Sequence, residues 1–389
     1  MRENDVEVKP KKKGKKKRRQ IFKLVTFGLE VMLLVVVVIG AKYVTDLIDS
    51  FSQIQQDSEF VDDSDAGINV GDTGIDTEYK EEVLEGYTNI ALFGLDNRSA
   101  GKYDKGRSDS IIIASINNKT KDVKLVSVYR DTYLSVGDGK FKKANTAYTG
   151  GVKKAVQMLN SNLDLDITEY VCVDWVALIE AIDALGGVEI DVTSSEVTYI
   201  NKYVKDMNKE IGSDKDLIEG KGLQTLSGVQ ATAYARIRYT SGNDFKRASR
   251  QRIVIEAMLN KAKQADINTL LNICKVVFDD ISTTLSLDEI LDLAKDVANY
   301  SIETSAGFPY ALVTRDLSGS GDSVVPVDLE ANVSKLHYTL FGTENYKPSY
   351  AVHAISQAIM QKTGVDENTK PYPMGDYENN AGENGTNWK

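Results

Sequence analysis

With 389 residues, 42% of them hydrophobic, the chain has length for two or three domains and material for a sizeable core, and no fixed-period self-similarity marks a repeat protein. The formal charge is −10, but residues 1–23 hold eleven basic against three acidic side chains, so everything downstream carries −18 and repels a polyanion. Two Cys and two His (His337 and His353) exclude a disulfide scaffold and argue against a His-based catalytic triad, leaving Asp, Arg or a metal ion for any chemistry.

The basic run KPKKKGKKKRRQ ends a tail, residues 1–20, that is followed at once by an apolar stretch. LVTFGLEVMLLVVVVIGA (24–41), extended by Ile21, Phe22 and Tyr43, is long enough to cross a hydrocarbon core, with Glu30 its one charge. Residues 21–43 are therefore expected to be a retained transmembrane anchor. The Lys/Arg excess before it keeps the N-terminus cytoplasmic and sends everything after about Tyr43 outside. The chain thus reads as a single-pass plasma-membrane protein whose lipid partner is the bilayer. Residues 44–85, rich in Asp and Glu, read as an acidic extracytoplasmic linker.

From Tyr87 the pattern changes to short β-branched runs: NIALFGL (89–95), SIIIASI (110–116) and VKLVSVYR (123–130), strands apolar enough to be covered on both faces. Helical spacing follows Gly150-Gly151 in VKKAVQMLNSNL. A strand, TEYVCVD (168–174), leads to the helix WVALIEAIDAL, which Gly186-Gly187 stop before the strand VEIDV. Cys172 and Cys274 both sit in apolar surroundings and are expected to be buried thiols, with one bridge possible if the fold brings them together. Strands alternating with helices predict a three-layer α/β domain, residues 86–300. Ser227 and Gln230 form a capping-box pair opening a short helix to about Ala235, and Ser286 with Glu289 forms a second. Beyond Gly307 lie a few strands and one helix, SYAVHAISQAIMQKTG, expected as a small C-terminal α/β extension (301–364) before a disordered polar tail, 365–389.

Arginine usage is uneven. Of 12 Arg, three lie in the N-terminal tail, and five of the other nine fall in ARIRYTSGNDFKRASRQR: Arg236, Arg238, Arg247, Arg250 and Arg252. Arg98, Arg107 and Arg130 sit in three strand-end motifs, GLDNR, GRSDS and SVYRDT, and Arg315 stands apart. Solubility alone is served by Lys, as in the rest of this chain, whereas bidentate capture of phosphate calls for a planar, permanently charged fork. Strand ends of an open α/β sheet are where ligands bind. If the strands ending at Asp96 and beginning at Asp109 are antiparallel neighbours, the two carboxylates meet at one sheet edge. Together they suit a Mg²⁺ that keeps waters and bridges substrate phosphates. The competing reading pairs Asp96 with Arg98 and Asp109 with Arg107 as structural ion pairs, and spacing alone leaves both open. Asp131 and Asp244 are candidate orienters of neighbouring Arg side chains. Arg247 and Gln251, four apart, share one face of a helix running through IVIEAMLNKAKQ.

Taken in order, GLDNR, RSDS, VSVYRDT, KANTAYTGG, YVCVDW, DALGGVEIDV, GLQTLSGVQATAYARIR and DFKRASRQR resemble the LytR-CpsA-Psr family of cell-envelope proteins over about Tyr87 to Lys263. The resemblance implies an LCP-type α-β-α domain with a central mixed sheet. It also implies a membrane-anchored phosphotransferase that moves a phosphate-linked glycopolymer from a polyprenyl-pyrophosphate carrier to peptidoglycan. Carried over residue by residue, the family's metal ligands fall on Asp96 and Asp109, and its pyrophosphate-binding groups on Arg107, Arg130, Arg236, Arg238, Arg247 and Gln251. Arg98, Asp131, Asp244 and Arg250 complete the expected substrate-binding set. Tyr129 departs from the pattern, since the family often has Pro there. The alternatives are a polyprenyl-pyrophosphate hydrolase, with water as acceptor, and a non-catalytic polyprenyl-phosphate-binding regulator. Nucleic acid is not an expected partner.

Overall fold

The computed structural model describes residues 51, 55–56, 60–71, 74–95, 106–214, 216–238, 243–277 and 280–372. The expected basic tail and anchor lie outside them, as do Asp96 and Arg98. Among the described residues no helix is long and apolar enough to cross a membrane.

The stretch expected as an acidic linker departs from that expectation in its second half. Strand β1 (Gln55–Gln56) adds to a sheet edge, and residues 60–86, including helix α1 (Thr77–Glu82), pack onto the domain. Ala66, Ile68, Ile75 and Leu84 are buried in the main core, while the Asp and Glu side chains around them stay largely in water. Four apolar residues scattered among charges escape a composition average, yet each gains the full benefit of burial.

The three β-branched runs form a meander of β2 (Tyr87–Leu95), β3 (Ser108–Asn117) and β4 (Asp122–Val128), with antiparallel pairs β2–β3 and β3–β4. A small hairpin, β5 (Tyr133–Ser135) and β6 (Phe141–Lys143), precedes α2 (Val152–Leu163) and β7 (Glu169–Asp174). Next come α3 (Trp175–Ala184), β8 (Val188–Val192), α4 (Ser194–Ile211), β9 (Gly222–Leu226) and α5 (Gly228–Ala235). The long α6 (Asn243–Ala262) leads to α7 (Ile267–Val277), β10 (Ile281–Thr283), α8 (Leu287–Lys295) and β11 (Ser301–Phe308). The hairpin β12 (Leu312–Leu317) and β13 (Gly321–Pro326) precedes α9 (Leu329–Phe341) and α10 (Tyr350–Thr363).

Seven strands make one mixed sheet in the order β1-β10-β7-β2-β3-β4-β11. Period-two alternation sends Phe93, Leu95, Ile111, Ile113, Val126 and Val128 to one face, where they meet residues of α2, α9 and α10. Ile90, Ile112, Ala114, Ile116, Val123 and Leu125 face the other way, against Ile255 and Leu259 of α6 and Ile290 and Leu293 of α8. Helices therefore cover both faces, which is why these runs are continuously apolar. A second core gathers α3, α4, α5 and the β8–β9 pair, joined to α6 through Val254, Ala257 and Met258.

Residues 301–364 supply the edge strand β11, parallel to β4, and two helices packed on the sheet, so they share the main core. Two helices stand there where one was expected: α9 is opened by Asp328, whose side chain accepts from the Ala331 N–H, a cap that the sequence reading passed over. The start of the tail expected to be disordered from Val365 packs on the domain, with Val365 buried and the Tyr372 N–H donating to the Leu312 carbonyl, and residues 373–389 lie outside the described ones. Cys172 and Cys274 are both thiols, and Cys172 is the buried one, its sulfur accepting from the Tyr148 hydroxyl at 3.2 Å.

Candidate functional site

Strand register brings the motifs together. β2 pairs with β3 as far as Gly94 opposite Ser110, then skips to Leu95 opposite Ser108, so Asp109 is the extra residue of a β-bulge. Bulges of this kind re-aim a side chain at a sheet edge. At the same end lie the last residues of β7, β4 and β11, with Leu95 opposite Asp174 and Val128 opposite Phe308. The antiparallel neighbours that the sequence posed as a condition are therefore present. Asp96 itself, like Arg98, falls just past the described part of β2.

Arg130 follows β4 and pairs with Asp109. Its Nε lies 3.7 Å from the Asp131 carboxylate, which also takes Lys143 at 3.1 Å. Tyr129, the departure from the family pattern, is buried, and its ring meets Phe245 of α6 edge-on at 4.6 Å between centroids. An apolar contact thereby braces the Arg130 turn against the helix that carries Arg247.

The other arginines arrive at the end of α5, just beyond it, and on α6. The Ser227–Gln230 capping box starts α5 as the sequence indicates, and Gly228 is required there, since a Cβ would sit 2.2 Å from the Ile179 carbonyl oxygen of α3. Arg236 caps the end of α5 with its guanidinium 5.7 Å from the centre of the Trp175 ring. Arg238 goes a different way: its guanidinium lies 3.6 Å from the Asp109 carboxylate and 3.3 Å from that of Asp244. Arg247 is 5% exposed, reaches Asp244 at 3.1 Å, and donates to the Asp109 backbone carbonyl at 3.3 Å. Its Nη1 is 4.0 Å from the Asp109 carboxylate. Burial lowers the basicity of Arg247, the Asp244 carboxylate opposing that effect, and a guanidinium remains charged regardless.

Asp109 is thus ringed by Arg130, Arg238 and Arg247, and not engaged in a lone pair with Arg107, which is exposed. Gln251 is half-buried one turn beyond Arg247 on α6. Two arginines of the cluster face elsewhere. Arg250, expected to touch substrate, is 1% exposed and bonded to Glu196 at 2.8 Å, and Arg252 donates to the Ser305 hydroxyl at 2.7 Å. Arg252, five residues past Arg247, lies about 140° round α6 from it, whereas Arg250, three past it, is only about 60° away and is drawn off the ring by its bond to Glu196.

Several buried polar atoms around the ring lack a hydrogen-bond partner among the described residues: Ser108 Oγ, Thr132 Oγ1, Arg130 Nε, Arg247 Nε and both side-chain atoms of Asn145. Asn145 is held nearby, its N–H donating to the Arg130 carbonyl at 3.0 Å. Unmet donors beside three guanidiniums are what an anion rich in oxygen atoms would satisfy. Asn145 was absent from the sequence-derived set, although it sits within KANTAYTGG.

No group of three or more His, Cys, Asp or Glu side chains that could hold a metal ion occurs among the described residues. A protein-only metal cage is not what Mg²⁺ needs, since it binds through one or two carboxylates, waters and substrate phosphates. Asp109 fits that donor pattern: its Oδ2 is 3.6 and 4.0 Å from Arg238 and Arg247, beyond hydrogen-bond length.

The family model LytR_cpsA_psr matches residues 52–306. The chain is 32% identical over 286 residues, 72% of its length and 84% of the relative's, to the polyisoprenyl-teichoic acid–peptidoglycan teichoic acid transferase TagU of Enterococcus faecalis. To the TagU of Bacillus licheniformis it is 35% identical over 208 residues, covering 52% of this chain and 62% of that protein. In fold it is similar to the crystal structure of an Enterococcus faecalis protein described as a transcriptional regulator, with a TM-score of 0.55 and 22% identity over 72% of this chain and 96% of that one. A match that takes in the bulge at Asp109, the Arg130 turn, Arg238 and the helix carrying Arg247 leaves one conclusion: this chain belongs to the LytR_cpsA_psr family.

Proposed function

We propose that the protein is a membrane-anchored phosphotransferase that moves a phosphate-linked glycopolymer from a polyprenyl-pyrophosphate carrier onto peptidoglycan outside the plasma membrane. The observation that carries this reading is the ring of Arg130, Arg238 and Arg247 around Asp109 at the sheet edge, with unmet buried donors beside it. In the step itself an acceptor hydroxyl of peptidoglycan adds to the glycan-side phosphorus, the bond to the bridging oxygen breaks, and polyprenyl phosphate leaves. The hydroxyl proton passes to solvent. Negative charge grows on the bridging and non-bridging oxygens, and guanidiniums fixed in advance against it lower the barrier. Arg238 and Arg247 would take phosphate oxygens, Asp244 holding both forks in place. Arg130 would do the same from the other side, steadied by Asp109 and Asp131.

Mg²⁺ belongs to this reading, held by Asp109 and, from the sequence, Asp96. When bound it would neutralise charge on the pyrophosphate oxygens. The enterococcal relative's name, a teichoic acid transferase acting between a polyisoprenyl carrier and peptidoglycan, supports a wall polymer as the cargo. The test supplies the full chain with labelled lipid-linked polymer and insoluble peptidoglycan. Label on the washed peptidoglycan is the expected result. Free polymer with an unlabelled wall would make the protein a hydrolase, and unchanged lipid-linked polymer would make it a binding module.

A further inference from the structure

Arg250 and Glu196 form a buried ion pair for which the proposed chemistry has no direct use. Arg250 sits on α6 three residues past Arg247, and Glu196 lies in the first turn of α4, so the pair joins separate elements. Each atom is committed. Glu196 Oε2 accepts from the Thr193 N–H at 2.9 Å and from the Thr193 hydroxyl at 2.8 Å, while Oε1 accepts from Arg250 Nε at 2.8 Å. Burial works against the Glu196 carboxylate, but the Thr193 and Arg250 hydrogen bonds outweigh it and hold its pKa below the usual value. Arg250 Nη1 then donates to the Ile237 carbonyl at 3.3 Å, and the guanidinium lies 5.8 Å from the centre of the Tyr234 ring. Ile237 is the residue between Arg236 and Arg238.

We propose that Glu196 and Arg250 are positioning residues for the anion site: the pair clamps the Ile237 carbonyl and so sets where Arg238 stands relative to Arg247. The inference rests on the reading of the Asp109 ring as a pyrophosphate site. Arg238 hangs on a short connection between α5 and α6, its charge drawn to Asp109 and Asp244. Arg247 is fixed by its own helix. A clamp from that helix to the backbone one residue before Arg238 ties the two forks to one frame. Glutamine cannot replace Glu196, because both carboxylate oxygens accept, and an amide would turn an N–H toward either Arg250 Nε or the Thr193 N–H.

The test is a double-mutant cycle on the full chain in detergent, reading the dissociation constant of farnesyl pyrophosphate together with the thermal midpoint. Residues coupled through one network show strong non-additivity, so Glu196→Gln should weaken binding about tenfold in the wild-type background and less than about twofold when Arg238→Ala is already present. Glu196→Asp, which keeps the charge with a shorter reach, should fall between wild type and Glu196→Gln. If the glutamine variant does not fold, the same cycle is run with Arg250→Lys, which keeps a cation but cannot reach both Glu196 and the Ile237 carbonyl. Losses that multiply across the cycle, or a lowered midpoint with unchanged affinity, would overturn the proposal by making the pair a fold brace alone. Failure of the site reading itself looks different: wild type and Arg238→Ala would then both bind farnesyl pyrophosphate equally poorly.

Discussion

Arg247→Lys separates a fixed fork from a diffuse positive charge. Arg247 spans two partners from a nearly buried position, one nitrogen reaching Asp244 at 3.1 Å and the Asp109 carbonyl at 3.3 Å, while Nη1 faces the Asp109 carboxylate. A lysine ammonium is a single point on a flexible stem and can hold one of these positions at a time. It keeps the charge and loses at least one charge-assisted contact to the transferring group, which is worth about 1.5–3 kcal/mol. Through the rate law, that corresponds to a fall in kcat/KM of roughly tenfold to a hundredfold. The assay is initial-rate transfer of labelled polymer to peptidoglycan, with Arg315→Lys, an exposed residue on β12, as the control. If Arg247→Lys stays within twofold of wild type while the control is also unchanged, the ring supplies only background potential and the argument from its geometry fails.

Asp109→Asn removes the carboxylate shared by three guanidiniums and should lower turnover roughly a hundredfold or more while leaving a folded protein, since the side chain is partly exposed and no core contact is lost. EDTA should silence wild type, and added Mg²⁺ should restore it but not the Asp109→Asn variant; activity indifferent to EDTA would remove the metal from the scheme. Stability should fall as pH drops from 6.5 toward 4, because burial pushes the His337 imidazole down to about 4 and the unfolded chain takes up the proton first. The full effect is about 3 kcal/mol, present above pH 6.5 and lost through pH 4. In the ring, Nε2 donates to the Leu163 carbonyl and Nδ1 accepts from the Tyr79 hydroxyl, so His337→Gln can keep both bonds without titrating. Urea melts of that variant should show a flatter pH profile, and an unchanged slope would mean other groups set it. Protease added to intact protoplasts should remove nearly everything after residues 21–43, the anchor expected from the sequence, and survival of the full-length chain would contradict an outside domain.

The residues whose places were readable from sequence are those fixed by short-range rules. Asp109, Arg130 and the Ser227 cap each sit where a strand or helix begins or ends, so a local motif already gives where each falls along the chain. Arg250 was misplaced because composition groups it with Arg247, whereas the fold sets it against a carboxylate 54 residues away. Glu196 was overlooked despite an explicit signal, the Thr193–Glu196 capping box, since a cap has a local explanation and hides a second partner. Charge averages likewise concealed the apolar residues of 60–86. The core they join includes α2, α9 and α10, and the last two of these helices lie more than 240 residues downstream.

Asp164, a buried carboxylate in a left-handed turn after α2, binds Asn69 at 2.6 Å, 95 residues before it, and the Ser349 hydroxyl at 2.7 Å, 185 residues after it. A segment that precedes the sheet meander and the N-cap of α10 thus close on one acid. A chain made from its N-terminus cannot complete that knot until residue 349 has emerged, whatever the sheet has achieved by then. Until that point Asp164 lacks partners that its burial demands, and Ala66, Ile68 and Leu84 lack part of their cover. Contacts this distant along the chain make for slow closure. A nascent chain truncated before α10 therefore leaves Asp164 and part of the main core without their cover.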